Sequence, residues 1–158
     1  MAQWLANEQI DALYTSPLQR ARETAQPLAE RWQMTPTVVD GIAEYDRHEK
    51  VYIPLEEVKA DKAAFARFVG QNDSPVRRAW RAEVAATVEE LVAAHRGQRI
   101  AAVCHGGVIN AYLSFVLGID KPMFFEPEYT SVHRITAAST GQRTVLTMNE
   151  APFLRGLR

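Results

Sequence analysis

The sequence predicts one α/β domain, residues 1–158, built on a largely parallel sheet. Three observations carry that expectation. Short apolar runs alternate with segments of helical period along the whole chain, the pattern of strands connected by helices. The run Ile100-Ala101-Ala102-Val103-Cys104-His105-Gly106-Gly107-Val108-Ile109 passes from continuous apolar residues through a histidine and two glycines into a second apolar segment. A continuous apolar run suits a strand covered on both faces, as parallel strands are. The bulk composition is that of an ordinary globular domain: 158 residues, 47% hydrophobic and 23% charged, enough chain for one core.

Taken in order, residues 2–9 read as the last turns of a helix with no capping residue before it. Residues 11–15 read as a short strand. Ser16-Pro17 then reads as a helix start, with the serine as N-cap and the proline at the first helical position. That helix runs to about Trp32, with Leu18, Ala21, Ala25, Leu28, Ala29 and Trp32 on its apolar side. Residues 37–39 form a second short strand. Residues 40–54 are polar, charged and aromatic, and read as a loop. A helix is expected over 55–69. Another opens at Ser74-Pro75 and ends near Gly97, with His95 and Arg96 in its last turn. A strand over 100–104, a helix over 108–118 and two strands near 131–138 and 144–148 complete the set.

Bulk properties exclude several classes. The net charge is −1, so no global field draws nucleic acid or an anionic membrane. The longest apolar helical stretch, 108–119, is shorter than the roughly 20 residues that span a bilayer. Cys104 is the sole cysteine. No internal disulfide can form, and a cytoplasmic location is the default. Its apolar setting points to an inert thiol. No Cys/His cluster has metal-ligand spacing.

Two strand-to-helix turns concentrate the chemistry. In the first, two glycines let the backbone approach a ligand, and the next helix aims its first N–H groups at the turn. His105 sits beside that anion site, at the carboxyl end of a strand, where α/β sheets bind ligands. In the second, Arg20 lies one turn into the helix after Ser16-Pro17. A guanidinium beside a helix's positive end is unfavourable unless an anion joins it, and a phosphate held bidentately would make it favourable. The plainer reading, a solvated arginine, stands beside it. A third segment, Gly41-Ile42-Ala43-Glu44-Tyr45-Asp46-Arg47-His48-Glu49, sets carboxylates in a loop, where one could protonate a leaving oxygen. His48, His95 and His133 lack comparable settings.

Together these segments resemble the histidine phosphatase superfamily, with its phosphoglycerate mutase-like fold. The matching pieces are Tyr14-Thr15-Ser16-Pro17-Leu18-Gln19-Arg20-Ala21-Arg22-Glu23-Thr24-Ala25, then Ile42-Ala43-Glu44, then Val103-Cys104-His105-Gly106-Gly107. Their order and spacing match, and the resemblance covers nearly the whole chain. It implies a three-layer α/β/α architecture. It implies that Arg20 binds the phosphoryl group and that His105 is the second pocket histidine, donating to the phosphoryl oxygens. Glu44 would be the proton donor, with Asp46 as the fallback acid. Ser16 and Gly106 complete the phosphate-binding set. The expected partner is a small phosphorylated metabolite, with no metal or other cofactor; hydrolysis is preferred to phosphoglycerate mutase-like transfer, which stays open, because the chain is short and lacks extra loops for holding a bisphosphate.

The sequence departs from the family in two places. The Gly-x-Trp-Glu-Gly that commonly follows the acid is replaced by Arg47-His48-Glu49-Lys50-Val51-Tyr52. More consequentially, the family opens with a strand ending in Arg-His-Gly, whose histidine takes the phosphoryl group, and no Arg-His-Gly occurs here. The resemblance therefore implies an N-terminally truncated fold lacking its first central strand, with unpaired edges that a homodimer would cover. It also implies weak or absent activity. The alternatives are a non-catalytic phosphate-binding module or a truncated gene product.

Overall fold

The computed structural model describes residues 1–48, 53, 55–71 and 74–155. The strands are β1 (Ala12–Thr15), β2 (Thr37–Val38), β3 (Ile100–Val103), β4 (Val132–Ala137) and β5 (Arg143–Glu150). The helices are α1 (Gln19–Trp32), α2 (Leu55–Ala60), α3 (Lys62–Gln71), α4 (Pro75–Ala94) and α5 (Gly106–Leu117). The expected α/β fold with a parallel sheet is present.

β1 is the middle strand of a parallel sheet ordered β2-β1-β3. Ala12 pairs with Ile100 and Thr15 with Val103, while Tyr14 pairs with Thr37. Successive side chains of a strand point to opposite faces, and β1 uses both. Leu13 packs with Leu5, Leu28 and Ala29 in one buried cluster. Tyr14 turns the other way, its hydroxyl 3.2 Å from His95 Nε2 at the end of α4. α1 and α4 therefore cover opposite faces of the sheet. A second cluster, Ile42, Val84, Val108 and Ala111, joins α4 to α5.

Several local expectations are corrected. Residues 2–7 form hydrogen-bonded turns rather than a helix end, with Leu5 N–H reaching Met1 O at 3.1 Å. Ser16 is not the N-cap of α1. Leu18 holds that place without a side-chain cap, and Ser16 is fully buried. The stretch 55–69 is two helices. Asp61 breaks it, accepting Ala63 N–H at 2.8 Å and so capping α3. α4 stops at Ala94, where His95 Nδ1 lies 2.8 Å from Leu91 O and satisfies a terminal carbonyl. α5 starts at Gly106, two residues early, with His105 as its N-cap residue. The expected Ser74 cap of α4 is present, accepting Arg77 N–H at 3.4 Å. Of the expected loop over 40–54, residues 49–52 and 54 lie outside the described residues.

The other sheet is the antiparallel hairpin β4-β5. Two polar clusters fasten it. Glu89 of α4 accepts the Tyr112 hydroxyl of α5 at 2.7 Å and two N–H bonds from Arg143 of β5 at 3.0 and 2.5 Å. Glu8 is 3.1 Å from both Arg99, just before β3, and Arg134 of β4. β3 pairs with β1 alone and β4 with β5 alone among the described residues. Between them lies a cavity of about 1330 Å³, lined by every residue of β3 and of β4.

Asn110 ties the chain after α5 to the start of that helix. It is fully buried. Its Nδ2 donates to Gly106 O at 3.0 Å and Phe125 O at 3.1 Å, and its Oδ1 accepts Phe124 N–H at 3.1 Å and Phe125 N–H at 3.4 Å. Asn110→Ala leaves buried backbone groups without partners, at about 1–3 kcal/mol each before relaxation. Urea unfolding of this variant should show a loss of about 2–4 kcal/mol. A loss below about 0.5 kcal/mol would refute this account of the residue.

Candidate active site

The carboxyl ends of β1 and β3 lie side by side and each runs into a helix, so the two chemical turns meet. Ser16 N–H donates to Val103 O at 2.9 Å, which locks the turns together. Ser16 Oγ then lies 2.7 Å from His105 Nε2 and accepts Leu18 N–H at 3.3 Å. Burial and the nearby Arg20 cation push the His105 imidazole down to about 4. It is neutral at pH 7. Neutral imidazole has one donor and one acceptor nitrogen, so the Ser16 contact uses one of the two roles.

Glu44 approaches the same turn from the loop after β2. Its Oε2 accepts Gly107 N–H at 2.9 Å and its Oε1 accepts Tyr45 N–H at 3.0 Å. The carboxyl group thus sits at the N-terminus of α5, where a negative charge is favoured. A Cβ on residue 107 would fall 2.9 Å from Glu44 Cδ, so this approach requires glycine there. Burial still dominates and raises the Glu44 carboxyl above the ordinary carboxylate range, with Asp46 adding to the rise. The two backbone bonds and Arg20 oppose it without cancelling it. A carboxyl shifted in that direction can hold a proton for transfer.

Arg20 reaches the mouth of the pocket, where Nη2 is 3.0 Å from Asp46 Oδ1. Asp46 thus supplies an anion beside this helix start. Both side chains are about one-third exposed, so the pair is worth little on its own and can rearrange around an incoming anion. The structure brings Arg20, Glu44, Asp46, His105 and Gly106 to one cavity wall, with Ser16 directly behind His105. The expectation of unused N–H groups at α5 is modified, since Gly107 N–H already serves Glu44. Cys104 lies next to the site, but burial pushes its thiol up to about 12, which leaves it unreactive. Among the described residues no group of His, Cys, Asp and Glu is arranged to hold a metal ion. No helix among them is long and apolar enough to cross a membrane.

Three residues that the sequence does not flag form the outer wall. Arg77 lies over the Tyr45 ring, with 3.7 Å from Cζ to the centroid, and Tyr45 meets Trp80 edge-on at 5.7 Å. All three line the cavity beside Glu44. The α4 residues are over 30 positions away in sequence, and nothing short of the fold links them to Tyr45. His133, on the opposite wall, accepts Asn149 N–H at 3.2 Å through Nδ1. Burial pushes it, too, down to about 4.

The two histidines predict a pH dependence. Their folded values lie below the ordinary 6.5, so between about pH 4 and 6.5 the unfolded chain binds more protons. Stability therefore rises with pH across that window. Glu44 acts in the opposite sense, its contribution falling as pH rises above 4.5. His133→Asn should flatten the rise in urea midpoint between pH 4.5 and 6.5. An unchanged slope would show that His133 is not held neutral.

Comparison with known proteins places the chain. Residues 1–151 match the model of the histidine phosphatase superfamily, branch 1. No curated protein sequence matches the chain. Among solved structures, a mycobacterial glucosyl-3-phosphoglycerate phosphatase is similar, with a TM-score of 0.77 and 22% identity over 95% of this chain and 81% of that one. A phosphoserine phosphatase mutant from Entamoeba histolytica has a TM-score of 0.74 and 22% identity over 94% and 78% of the two chains. Bacillus stearothermophilus YhfR gives 0.76 and 21% over 95% and 79%. At these identities the structures establish a shared fold, and the family model, matched over nearly the full length, establishes descent: the chain belongs to the histidine phosphatase superfamily.

Proposed function

We propose that the site is a phosphoryl pocket for a small phosphorylated metabolite, within one histidine phosphatase-like domain over residues 1–158. The observation that carries this reading is the convergence of a buried Glu44 whose carboxyl is raised by burial, a neutral His105 and the Arg20 guanidinium on one helix N-terminus. Arg20 would leave Asp46 to take two phosphoryl oxygens in a bidentate contact. His105 would donate to a third oxygen. Gly106 N–H, at the first position of α5, would add the positive end of the helix. Glu44 would give its proton to the ester oxygen as the P–O bond breaks, releasing a neutral alcohol. Two of the similar proteins are named as phosphatases, one for glucosyl-3-phosphoglycerate and one in complex with phosphoserine. Hydrolysis is therefore the reading preferred over mutase transfer.

The covalent step is the weak link in these 158 residues. In the family a histidine nitrogen attacks phosphorus, forming a phosphohistidine that water then cleaves. Among the described residues the histidine at the turn that Glu44 binds is His105, and its Nε2 faces Ser16. The sequence holds no Arg-His-Gly. We therefore propose that the chain binds phosphoryl groups and turns them over weakly or not at all. The second reading, a phosphate-binding module, rests on that same absence.

Two measurements separate the readings. Vanadate should bind the 158-residue chain, and Arg20→Ala should weaken that binding roughly tenfold or more. Hydrolysis of p-nitrophenyl phosphate should be about 10³-fold or more below that of a version carrying an added Arg-His-Gly strand ahead of Met1. Robust turnover by the 158 residues alone would overturn the claim about the nucleophile. Vanadate binding indifferent to Arg20→Ala would overturn the pocket itself.

A further inference from the structure

Two histidines of the cavity wall each meet a serine hydroxyl through Nε2, and the direction of the bond differs between them. His105 Nε2 lies 2.7 Å from Ser16 Oγ, and His133 Nε2 lies 3.1 Å from Ser131 Oγ. At His133 the other nitrogen fixes the direction. Nδ1 accepts Asn149 N–H at 3.2 Å, so a neutral ring carries its proton on Nε2 and Ser131 Oγ accepts it. At His105 the serine fixes the direction. Leu18 N–H donates to Ser16 Oγ at 3.3 Å, while Pro17 has no N–H to offer. Ser16 is fully buried, and among the described residues its hydroxyl has no acceptor other than His105 Nε2. Were Nε2 to carry the ring proton, the Ser16 hydroxyl hydrogen would be buried without a partner. With Nε2 bare, Leu18 N–H, the Ser16 hydroxyl and the imidazole form one chain of bonds running in a single direction. Backbone bonds hold the serine for this. Its N–H donates to Val103 O at 2.9 Å, and its carbonyl accepts the Thr15 hydroxyl at 3.2 Å.

We propose that Ser16 is a positioning residue: its hydroxyl donates to His105 Nε2 and fixes the imidazole as the Nδ1–H tautomer. Which ring nitrogen carries the proton is set by the bond the other makes. Free in water the side chain favours Nε2–H, so Ser16 selects the minor form. His105 lines the cavity, and Nδ1, its remaining polar ring atom, has no partner among the described residues. A fixed Nδ1–H is a donor without positive charge, because burial keeps the ring neutral at pH 7. An incoming anion can accept from it, whereas a bare Nδ1 would repel phosphoryl oxygens. Ser16 then serves the phosphoryl group through His105 rather than by contact. The use of that donor rests on the phosphoryl-pocket reading; the tautomer does not.

The tautomer can be read directly. Two-bond proton–nitrogen correlation spectra of the labelled 158-residue protein at pH 7 distinguish a protonated ring nitrogen from a bare one. His105 should show a protonated Nδ1 and a bare Nε2, and His133 the reverse in the same spectrum. The signals lost in His105→Asn and His133→Asn give the assignments. In Ser16→Ala the His105 proton should move largely to Nε2 while the His133 pattern persists, and vanadate affinity should fall about tenfold. A serine that only packs would leave the tautomer unmoved. A wild-type His105 protonated on Nε2 would overturn the proposal without any variant. So would a Ser16→Ala protein that keeps the Nδ1–H form, or one that changes tautomer and binds vanadate as tightly as before. A wild-type protein with the Nδ1–H form that binds no vanadate would support the tautomer assignment and overturn the phosphoryl pocket instead.

Discussion

The Glu44 carboxyl on the first turn of α5 is the contact around which the rest of the site is arranged. It joins three pieces of chain that the sheet alone would leave apart: the loop after β2, the turn after β3 and, through Asp46, the start of α1. Both of its oxygens accept backbone N–H bonds, so its place is fixed without a side-chain partner. The contact needs residue 107 to lack a Cβ. The loop leading to it needs Gly41 for the same reason, since a Cβ there would fall 2.8 Å from Thr87 Cβ of α4. Two glycines far apart in sequence thus admit one carboxyl group. The electrostatic outcome is a contest between burial, which favours the protonated form, and two N–H donors with Arg20, which favour the anion. Burial prevails, so a group placed like a helix-capping anion retains acid character.

The parts legible in sequence are those whose physics is local. The apolar run into His105-Gly106-Gly107 predicts a strand, a turn and a helix, and all three are present. Ser74-Pro75 predicts a capped helix start and gives one. Ser16-Pro17 has the same local signature yet behaves differently. Position 16 is the point where two strand ends abut, and its hydroxyl meets His105 instead of capping α1. Tertiary burial overrode a good local rule. The pairing of Arg20 with Asp46, the Arg77–Tyr45–Trp80 wall and the Glu8 bridge were hidden for a different reason. Each joins residues separated by 26 positions or more, and nothing in the spacing of charged residues selects those pairs from the others available. Asn110 shows the same limit. In sequence it is a polar residue in an apolar helix, and its four backbone partners become visible only once the segment at Phe124–Phe125 folds back.

The division of the sheet has an energetic consequence. In a continuous sheet the hairpin β4-β5 would be held by a ladder of backbone bonds. Here it is held by side chains, and these are unequal. Arg134 and Arg99 meet Glu8 at sites 31% and 62% exposed, where an ion pair contributes about 0–1 kcal/mol. Arg143 is only 15% exposed, and Glu89 binds it through two N–H bonds while also accepting the Tyr112 hydroxyl. Charge-assisted, bidentate contacts of that kind are the stronger class. The hairpin is therefore anchored chiefly at its α4–α5 end and only lightly at Glu8.

That asymmetry bears on how a pocket built at strand ends can keep its shape. The catalytic-looking groups all come from one side: β1, α1, the loop after β2, and the turn into α5 belong to the well-paired half of the structure. The opposite wall, with His133, belongs to the hairpin. His133 is itself fixed, through Asn149 N–H on Nδ1 and Ser131 near Nε2, but fixed to its own hairpin rather than to β3. Changes in the separation of β3 and β4 would therefore move one wall as a unit and leave Arg20, Glu44 and His105 in register. The proposed pocket would tolerate this, because Arg20, Glu44 and His105 all belong to the half built on β1 and β3. The hairpin wall would set only the room left beyond these groups.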